Sequence, residues 1–332
     1  MSNSENKMQA LQVVQFGKSP QYINLDIPKP KKGQLRLKIL ACGLNFADLL
    51  MIKGTYQDTP PVPFTMGLEL VGIVDAVGPD TIGPPIGTRV AVYGGQGGLA
   101  EYGCFDQERC LTLPDGIPTI EAAGFQIAYG TSHVALDYKA RLQQGETLLV
   151  LGAAGGVGLT AVELGKAMGA QVIAVARGPA RLEIAAAVGA DHLIDPEVTD
   201  LREAVKSLGG ADVVYDPVGG EQFASAFRAC NPDGRILVIG FASGTVPPIA
   251  ANHMMVKNIT VQGVNWGGYM RFNSKVVTES LKTLISWYQT GRLKPHISHI
   301  LPFEQAREGL ELMRARKSTG KVVIEVQNHH TC

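Results

Sequence analysis

Hydrophobic and polar positions alternate in two different ways along the chain. Between residue 8 and residue 125, short apolar runs of β type are separated by Gly and Pro. Short strands with frequent turns are typical of a compact, mostly β domain. The predicted strands of this region are Leu11–Gln15, Gln34–Leu40, Leu70–Val74 and Arg89–Val92.

From about residue 130 to residue 265, apolar strands alternate with helical stretches. Such alternation predicts βαβ crossovers and a parallel sheet. Two amphipathic helices and a final strand follow. The predicted strands are Thr147–Leu151, Gln171–Ala176, Asp212–Tyr215, Arg235–Ile239, Ile259–Gly263 and Lys321–Val326, and the predicted helices include Ala180–Val188, Lys275–Thr290 and Phe303–Arg316.

The change of pattern predicts two domains in an α/β protein, in keeping with a length of 332 residues. Residues 128–267 form the domain with the parallel sheet. Residues 1–127 and 268–332 form the β-rich domain.

The composition narrows the class of partner. Thirty Lys and Arg residues balance 30 Asp and Glu residues, so the formal net charge is +0. Nucleic acid is therefore not an expected partner, because binding it requires a basic face. Glycine accounts for 39 of the 332 residues, which is a larger fraction of the chain than the usual share of about 7%. Clusters of Gly should mark places where the backbone approaches a ligand closely.

The N-terminal residues Met1–Lys7 are polar and do not resemble a secretory signal. No apolar run reaches the roughly 20 residues of a membrane span. The five cysteines show no CxxC spacing, which favours reduced thiols. We therefore expect a cytoplasmic protein without a membrane segment. The tail Gln327–Cys332, with its pair His329 and His330, is expected to be solvated and not metal-binding.

The most informative motif is the glycine-rich turn after the predicted strand Thr147–Leu151. It follows the pattern of a dinucleotide fingerprint, with Ala153 in place of the first Gly. Gly155 allows the backbone to approach a pyrophosphate, and Gly158 allows the helix to pack on the strand. The N-terminus of the helix offers N–H groups and a positive dipole end. The residues assigned to the cofactor from this turn are Ala154, Gly155, Gly156 and Val157.

The end of the next strand distinguishes NADP from NAD. An NAD-binding domain usually places an acidic residue about 20 positions further on. Here Arg177 and Arg181 stand in that region, and the first carboxylate is Glu183. Two arginines can form charge-assisted bonds to a 2′-phosphate, so we predict NADP. The alternative is that both arginines are only solvated.

With these motifs the chain resembles the medium-chain dehydrogenase/reductase superfamily, in its zinc-independent quinone oxidoreductase (zeta-crystallin-like) branch. The resemblance extends over residues 8–326 and implies a Rossmann NADP-binding domain, a GroES-like catalytic domain and an active site in the cleft between them. One signature position differs, because Glu163 replaces the usual Gln, and we interpret this as a surface change. The matching segments are Gly145–Lys166, Asp216–Gly220, Gly240–Gly244 and Gly320–Val323.

The resemblance also bears on a metal. Zinc alcohol dehydrogenases of this superfamily bind catalytic zinc through a Cys and a His, and the corresponding residues here are Asn45 and Leu68. Neither is a zinc ligand, so no metal is expected, and Asp48 and Glu69 are interpreted as buried structural carboxylates. Without a Lewis acid to stabilise an alkoxide, a conjugated acceptor is favoured, since it delocalises the incoming charge.

The resemblance implies catalytic roles for Tyr56 and Asn45. Tyr56 would hydrogen-bond a substrate carbonyl or protonate the enolate, and Asn45 would donate an amide N–H to the same oxygen. For Tyr56, simple packing on its loop is the alternative, and for Trp266 a place in the core. The further residues assigned to the cofactor site are Thr131, Val218, Phe241, Asn265, Trp266 and Lys321.

These expectations combine in an NADPH-dependent, zinc-independent reductase of quinones or other α,β-unsaturated carbonyl compounds. One alternative is an enoyl thioester reductase that acts on 2-enoyl-CoA. The other is a non-catalytic NADPH-binding protein. Because relatives commonly dimerise through the strand that corresponds to Ile259–Gly263, the resemblance also implies a homodimer.

Overall fold

The structure is a computed structural model that describes residues 6–327, so the prediction for His329 and His330 lies outside the described residues. The strands are β1 (Lys7–Val13), β2 (Gln21–Asp26), β3 (Gln34–Gly43), β4 (Phe64–Thr65), β5 (Glu69–Val77), β6 (Arg89–Tyr93), β7 (Tyr102–Asp106), β8 (Cys110–Thr112), β9 (Thr147–Leu151), β10 (Gln171–Val175), β11 (His192–Ile194), β12 (Ala211–Asp216), β13 (Cys230–Val238), β14 (Thr260–Gly263), β15 (Ile297–Pro302) and β16 (Lys321–Glu325). The α-helices are α1 (Phe46–Lys53), α2 (Thr119–Ala123), α3 (Gln126–His133), α4 (Gly156–Ala167), α5 (Pro179–Ala187), α6 (Leu201–Ser207), α7 (Gly220–Ala229), α8 (Ala251–Lys257), α9 (Trp266–Phe272), α10 (Ser274–Gln289) and α11 (Ala306–Arg314).

The chain divides into two compact units. The first unit contains the residues up to Gln126 and those from Pro295 onward, and the second contains Ile127–Lys294. Residues 268–294, predicted to belong with the β-rich domain, lie in the second unit. The reason is that α10 packs on α9, and the Ser280 hydroxyl on α10 lies 3.0 Å from Nδ1 of His133 on α3.

The second unit is built on a six-stranded sheet in the order β11-β10-β9-β12-β13-β14. All its neighbouring strands are parallel. Numbered along the chain, this is the 3-2-1-4-5-6 order of a Rossmann sheet, which confirms the predicted parallel sheet. Leu148–Leu151 of β9 are completely buried, because a strand covered on both faces is apolar throughout.

The strand order reverses between β9 and β12. In open α/β sheets, ligands bind beyond the carboxyl ends of the strands at such a reversal. The glycine-rich turn leaves β9 there, and the segment that begins at Asp216 leaves β12 beside it. The topology therefore places both predicted cofactor segments at the carboxyl ends of two adjacent central strands, β9 and β12.

The first unit contains a seven-stranded sheet in which β15-β16-β3-β5-β6-β8 are neighbours and β7 pairs with β3. A three-stranded sheet has the order β2-β1-β4. The C-terminal strand β16 is antiparallel to β3, with Val323 opposite Gly43. This pairing brings Lys321 beside the segment that joins β3 to α1.

Three further findings concern only the part of the chain that the structure describes. None of the helices within residues 6–327 has the length and apolar character of a membrane span. The same residues contain no group of three or more His, Cys, Asp or Glu side chains arranged to hold a metal ion. Four cysteines of this part are free thiols: Cys42, Cys104, Cys110 and Cys230.

Candidate active site

The conformation of the glycine-rich turn depends on two of its glycines. Gly152 has φ +60°, a left-handed conformation that Gly adopts without penalty. A Cβ on Gly158 would overlap the carbonyl oxygen of Gly152, so α4 can approach β9 only with Gly at that position. A Cβ on Gly155 would have one neighbour, the Gly152 oxygen at 3.3 Å, and otherwise open space. The N-terminus of α4 is therefore accessible to a ligand.

The two arginines proposed for the 2′-phosphate lie at the end of β10 and on α5. The guanidinium of Arg177 is 3.6 Å from the carboxylate of Glu197, and Nη1 of Arg181 is 3.5 Å from the carbonyl oxygen of Arg177. Asp195 accepts the Gly178 N–H at 2.8 Å, which holds the turn between the arginines. These two carboxylates follow β11 and were not part of the sequence-based site, since their approach depends on the pairing of β11 with β10.

Of two other predicted cofactor residues, Val218 lies beside the glycine-rich turn and Phe241 lies beside Gly219, which follows β12. A Cβ on Gly152 would come within 3.0 Å of the Val218 side chain, and one on Gly219 within 3.1 Å of the Phe241 ring. The Ser243 N–H donates to the Val218 carbonyl at 2.9 Å, so the segments after β12 and β13 are tied together. Phe241 remains 38% exposed. The structure thus gathers residues from three strand ends into one surface.

The remaining predicted cofactor residues of the second unit differ in exposure. Asn265 is exposed, and its Oδ1 accepts the Gly268 N–H at the start of α9. Thr131 is buried on α3. Trp266 is also buried, and a Cβ on Gly130 would lie within 2.7 Å of its indole nitrogen. Of the two predicted roles of Trp266, the structure favours the place in the core.

In the first unit, buried polar groups meet where β16 pairs with β3. The Lys321 ammonium donates to the carbonyl of Leu44 at 2.6 Å, to Oδ1 of Asn45 at 2.8 Å and to Oε1 of Glu69 at 2.8 Å. The Asn45 amide donates to the Gly43 carbonyl at 3.1 Å and to Oε1 of Glu69 at 3.0 Å. The side chains of Lys321 and Glu69 are only 6% and 1% exposed. They form an ion pair that is removed from water.

This cluster corrects the roles assigned to Asn45 and Lys321. An ammonium has three N–H donors and a carboxamide has two, and each of these donors has an internal acceptor here. Neither side chain has a donor left for a substrate or a cofactor. Sequence reasoning missed the pairing because Lys321 and Glu69 are 252 positions apart. We therefore assign both residues to the structure of the segment between β3 and α1.

The carboxylates of Asp48 and Glu69 are fully buried, as predicted for structural groups. Oδ2 of Asp48 accepts the Asn45 backbone N–H at 2.8 Å at the start of α1. Burial raises the pKa of Asp48 to about 7, and the Asn45 N–H and the Lys321 ammonium offset only part of that effect. When Asp48 is protonated, one carboxylate and one ammonium remain in the cluster, so its charges balance.

Tyr56 lies on the segment that follows α1. Gly54 follows the last residue of α1 as its C-cap and has φ +71°. A Cβ on Gly54 would also lie only 3.0 Å from the Phe16 ring. The carbonyl of Tyr56 accepts both the backbone N–H and the hydroxyl of Thr59, at 3.1 and 2.6 Å. The Tyr56 side chain is half-buried. Its backbone is thus held in a turn while part of the side chain is accessible to a ligand.

Glu163 on α4 is not the surface position that we predicted. Its carboxylate accepts the Tyr129 hydroxyl at 2.5 Å and the Lys294 backbone N–H at 2.6 Å. Burial raises the pKa of Glu163, and the two donors counteract only part of this. The interpretation as a surface change is therefore wrong, because distant segments bring two donors to a half-buried carboxylate.

Replacing Glu163 with Gln should stabilise the protein more at neutral pH than at acid pH. The folded pKa lies above the ordinary value of 4.5, so the unfolded chain releases its proton first as the pH rises. The wild type therefore loses stability between these two pKa values, and the loss is complete above the folded one. Gln keeps both contacts, since its oxygen accepts the Lys294 N–H and its amide donates to Tyr129.

Thermal unfolding midpoints of the wild type and Glu163→Gln, measured from below pH 4.5 to neutral pH, check this expectation. The difference between the two proteins should grow through the window and then stay constant. Glu183→Gln, at an exposed position of α5, is the matched control and should show no such growth. A difference for Glu163→Gln that does not vary with pH would contradict the prediction.

Two protein-family models match the chain. The alcohol dehydrogenase GroES-like domain matches residues 31–115, and the zinc-binding dehydrogenase model matches residues 156–286. The first match lies in the β-rich unit and the second in the unit with the parallel sheet. They confirm the predicted combination of a GroES-like domain with a Rossmann domain.

Curated proteins and solved structures resemble the chain over nearly its whole length. It is 36% identical over 315 residues to quinone oxidoreductase-like protein 2 of Bos taurus, covering 93% of this chain and 90% of the relative. It is 31% identical over 315 residues to the synaptic vesicle membrane protein VAT-1 homolog of Homo sapiens, covering 90% and 80%. The quinone oxidoreductase of Thermus thermophilus, also solved in complex with NADPH, matches with a TM-score of 0.85 at 32% identity, covering 96% of this chain and 100% of that chain.

Proposed function

The chain belongs to the medium-chain dehydrogenase/reductase superfamily, in its zinc-independent quinone oxidoreductase branch, and on that premise we propose that it is an NADPH-dependent reductase of quinones or other α,β-unsaturated carbonyl compounds. The proposal rests on the residues at the carboxyl ends of the strands in the Rossmann sheet. There an open glycine turn, a helix N-terminus and two arginines follow consecutive strands.

NADPH fits the residues at this end of the sheet. A helix begins with N–H groups that have no partner within the helix, and Gly155 leaves the approach to those of α4 open. These groups suit the pyrophosphate, while Arg177 and Arg181 suit the 2′-phosphate. When bound, NADPH supplies a hydride. The chain's part is to hold the nicotinamide close to Thr131, Val218 and Phe241.

Tyr56 is the residue we propose to act on the acceptor. Hydride addition to the β-carbon of an enone creates an enolate, whose oxygen or α-carbon must then be protonated. A phenol can donate a hydrogen bond to the carbonyl oxygen and pass its proton to the enolate. Of the two predicted catalytic residues, only Tyr56 keeps this role, because both amide hydrogens of Asn45 have internal acceptors.

Steady-state oxidation of NADPH and NADH with three acceptors tests the proposed function. We expect NADPH to be consumed with 1,2-naphthoquinone or a simple enone, and NADH to react much more slowly. Preferential turnover of crotonyl-CoA would favour the enoyl thioester reductase instead. Tight NADPH binding without turnover of any acceptor would overturn the enzymatic proposal and favour a binding protein.

The double variant Arg177→Ala/Arg181→Ala should change the cofactor preference. A hydrogen bond to a charged group contributes about 1.5–3 kcal/mol, and a factor of ten corresponds to about 1.4 kcal/mol, so removing both arginines should raise the KM for NADPH by about 100-fold or more. The KM for NADH should stay within about twofold, since NADH has no 2′-phosphate. The control is Arg202→Ala, which removes a similarly exposed arginine on α6. If the KM values for NADPH and NADH rose by the same factor, the arginines would not be binding the 2′-phosphate.

We also propose a homodimer joined through β14, which with β11 is one of the two edge strands of the described six-stranded sheet. An edge strand presents unpaired backbone groups that can pair with another chain, and Val261 and Gln262 on it are half-buried. Light scattering during size-exclusion chromatography should give twice the chain mass. Val261→Lys should shift this value toward one chain. A wild type that elutes as one chain at every concentration would exclude the dimer.

A further inference from the structure

Three buried hydroxyl groups meet in the second unit. Oγ of Ser132 lies 2.9 Å from Oγ1 of Thr160 and 2.9 Å from Oη of Tyr215. Ser132 and Tyr215 are completely buried and Thr160 nearly so. Burial raises the pKa of Tyr215 well above its ordinary value of 10.0, so its hydroxyl stays protonated and remains a donor.

The cluster also contacts two backbone carbonyl oxygens. Each hydroxyl carries one hydrogen, and the backbone carbonyls at the end of the cluster can only accept. Thr160 Oγ1 lies 3.1 Å from the Ala128 carbonyl oxygen, and Ser132 Oγ lies 2.9 Å from that of Val157. The cluster therefore links the side chain of Tyr215, through Ser132, to the backbone of α3 and α4. Bonds in such a chain strengthen one another in a low-dielectric interior.

Two of the segments that the cluster joins carry proposed cofactor residues. Ser132 follows Thr131 on α3, so fixing one fixes the backbone of the other. Val157, whose carbonyl Ser132 contacts, stands in the first turn of α4, directly after the open glycine turn. The Ser132 hydroxyl therefore connects the residue proposed near the nicotinamide to the loop proposed for the pyrophosphate.

The third segment begins at Tyr215 on β12. The next residue, Asp216, is buried, and its Oδ1 accepts the N–H groups of Val218 at 2.7 Å and Gly219 at 2.9 Å. The turn that carries Val218 is thus held by the neighbour of Tyr215. Through Ser132, that turn is connected to α3 and α4.

We propose that Ser132, together with Thr160 and Tyr215, positions the nicotinamide half of the cofactor site. Because its three hydroxyl groups are buried, we assign the cluster a positioning role and not a contact with cofactor or substrate. It holds Thr131, the start of α4 and the Val218 turn at fixed separations, and so determines how far the nicotinamide reaches from the pyrophosphate. The inference rests on the proposed function, because it takes the cofactor residues from there. A purely structural cluster would affect stability without affecting the nicotinamide.

Ligands that report on the two halves of the site separate these roles. We would measure dissociation constants for NADPH and for 2′,5′-ADP, which contains only the adenosine half, in Ser132→Ala and Tyr215→Phe. One hydrogen bond contributes about 0.5–1.5 kcal/mol, so the ratio of the NADPH constant to the 2′,5′-ADP constant should rise about two- to tenfold. The kcat should fall by a similar factor. The 2′,5′-ADP constant itself should change less than about twofold.

Ser280→Ala is the matched control. It also removes a buried hydroxyl that is hydrogen-bonded to α3, at His133, but this hydroxyl joins α3 to α10 and not to the start of α4 or to the Val218 turn. Ser280→Ala should also lower the thermal stability, while the ratio of dissociation constants stays at the wild-type value. Tyr215→Phe keeps the buried ring and provides the test if Ser132→Ala does not fold.

An unchanged ratio in both cluster variants would overturn the inference and leave the hydroxyls with a structural role. The ratio is measured without turnover, so it can be read even if no acceptor is reduced. Wild-type protein that binds NADPH but reduces nothing would count against the proposed enzymatic function alone. Wild-type protein that binds neither ligand would overturn both.

Discussion

Tyr56→Phe should lower kcat for an enone by about 10²- to 10⁴-fold, the usual contribution of a general acid. The substitution removes the one proposed group that can protonate the enolate, while the ring still fills its place on the turn after α1. The KM for NADPH should not change, because the proposed cofactor residues all lie in the second unit. The effect should therefore appear in kcat and not in cofactor binding.

The same substitution should lower kcat much less when the acceptor is a quinone. Reduction of a quinone gives an aromatic hydroquinone anion that is stable enough to take its proton from water. The ratio of enone to quinone activity should therefore fall in Tyr56→Phe. Tyr138→Phe, which removes the hydroxyl of an exposed tyrosine, is the control and should leave both activities at the wild-type level. Equal enone activity in Tyr56→Phe and wild type would leave Tyr56 with a packing role.

Lys321→Met should lower the free energy of unfolding by about 3–5 kcal/mol, the usual cost of removing one partner of a buried ion pair. The substitution leaves the Glu69 carboxylate without its cation and removes the donor to Asn45 and Leu44. Met fills most of the volume of the lysine side chain, so the substitution creates little new cavity to lower the stability further. The loss should therefore report on the charge.

Urea unfolding of three variants separates charge from packing. Lys321→Met/Glu69→Gln removes both charges and should recover part of the lost stability, since Gln can still accept from Asn45. Lys275→Met breaks an exposed ion pair with Glu279 on α10 and should cost less than about 1 kcal/mol. If Lys321→Met cost no more than Lys275→Met, the buried pair would not contribute as we infer.

Local patterns were sufficient to predict the parallel sheet and the glycine-rich turn. A strand buried on both faces is a continuous apolar run, and a phosphate-binding turn needs Gly within a few residues, so both signals lie in short windows of sequence. Gly155 has open space beside it and Gly158 allows the close approach of α4 to β9, as this reasoning requires. Strands of the second unit that were predicted from such apolar runs also agree with the structure, as β9 and β10 show.

The polar contacts were not predictable from local patterns, because they join distant segments. Lys321 meets Glu69 only because β16 pairs with β3, and Glu163 receives the Lys294 N–H across 131 positions. The Ser132 cluster likewise depends on where α3 packs against α4 and β12. Sequence assigns a residue type to a position, whereas strand register and helix packing choose its partner. For this reason Asn45, Lys321 and Glu163 required correction.

Transfer of deuterium tests the central claim most directly. NADPH that carries deuterium at both C4 positions of the nicotinamide would be incubated with the protein and an enone in ordinary water, and the saturated product analysed by mass spectrometry and NMR. We predict one deuterium at the β-carbon of the product and a solvent-derived hydrogen at the α-carbon. Product without deuterium, or no product despite bound NADPH, would contradict hydride transfer from NADPH to a conjugated carbonyl compound.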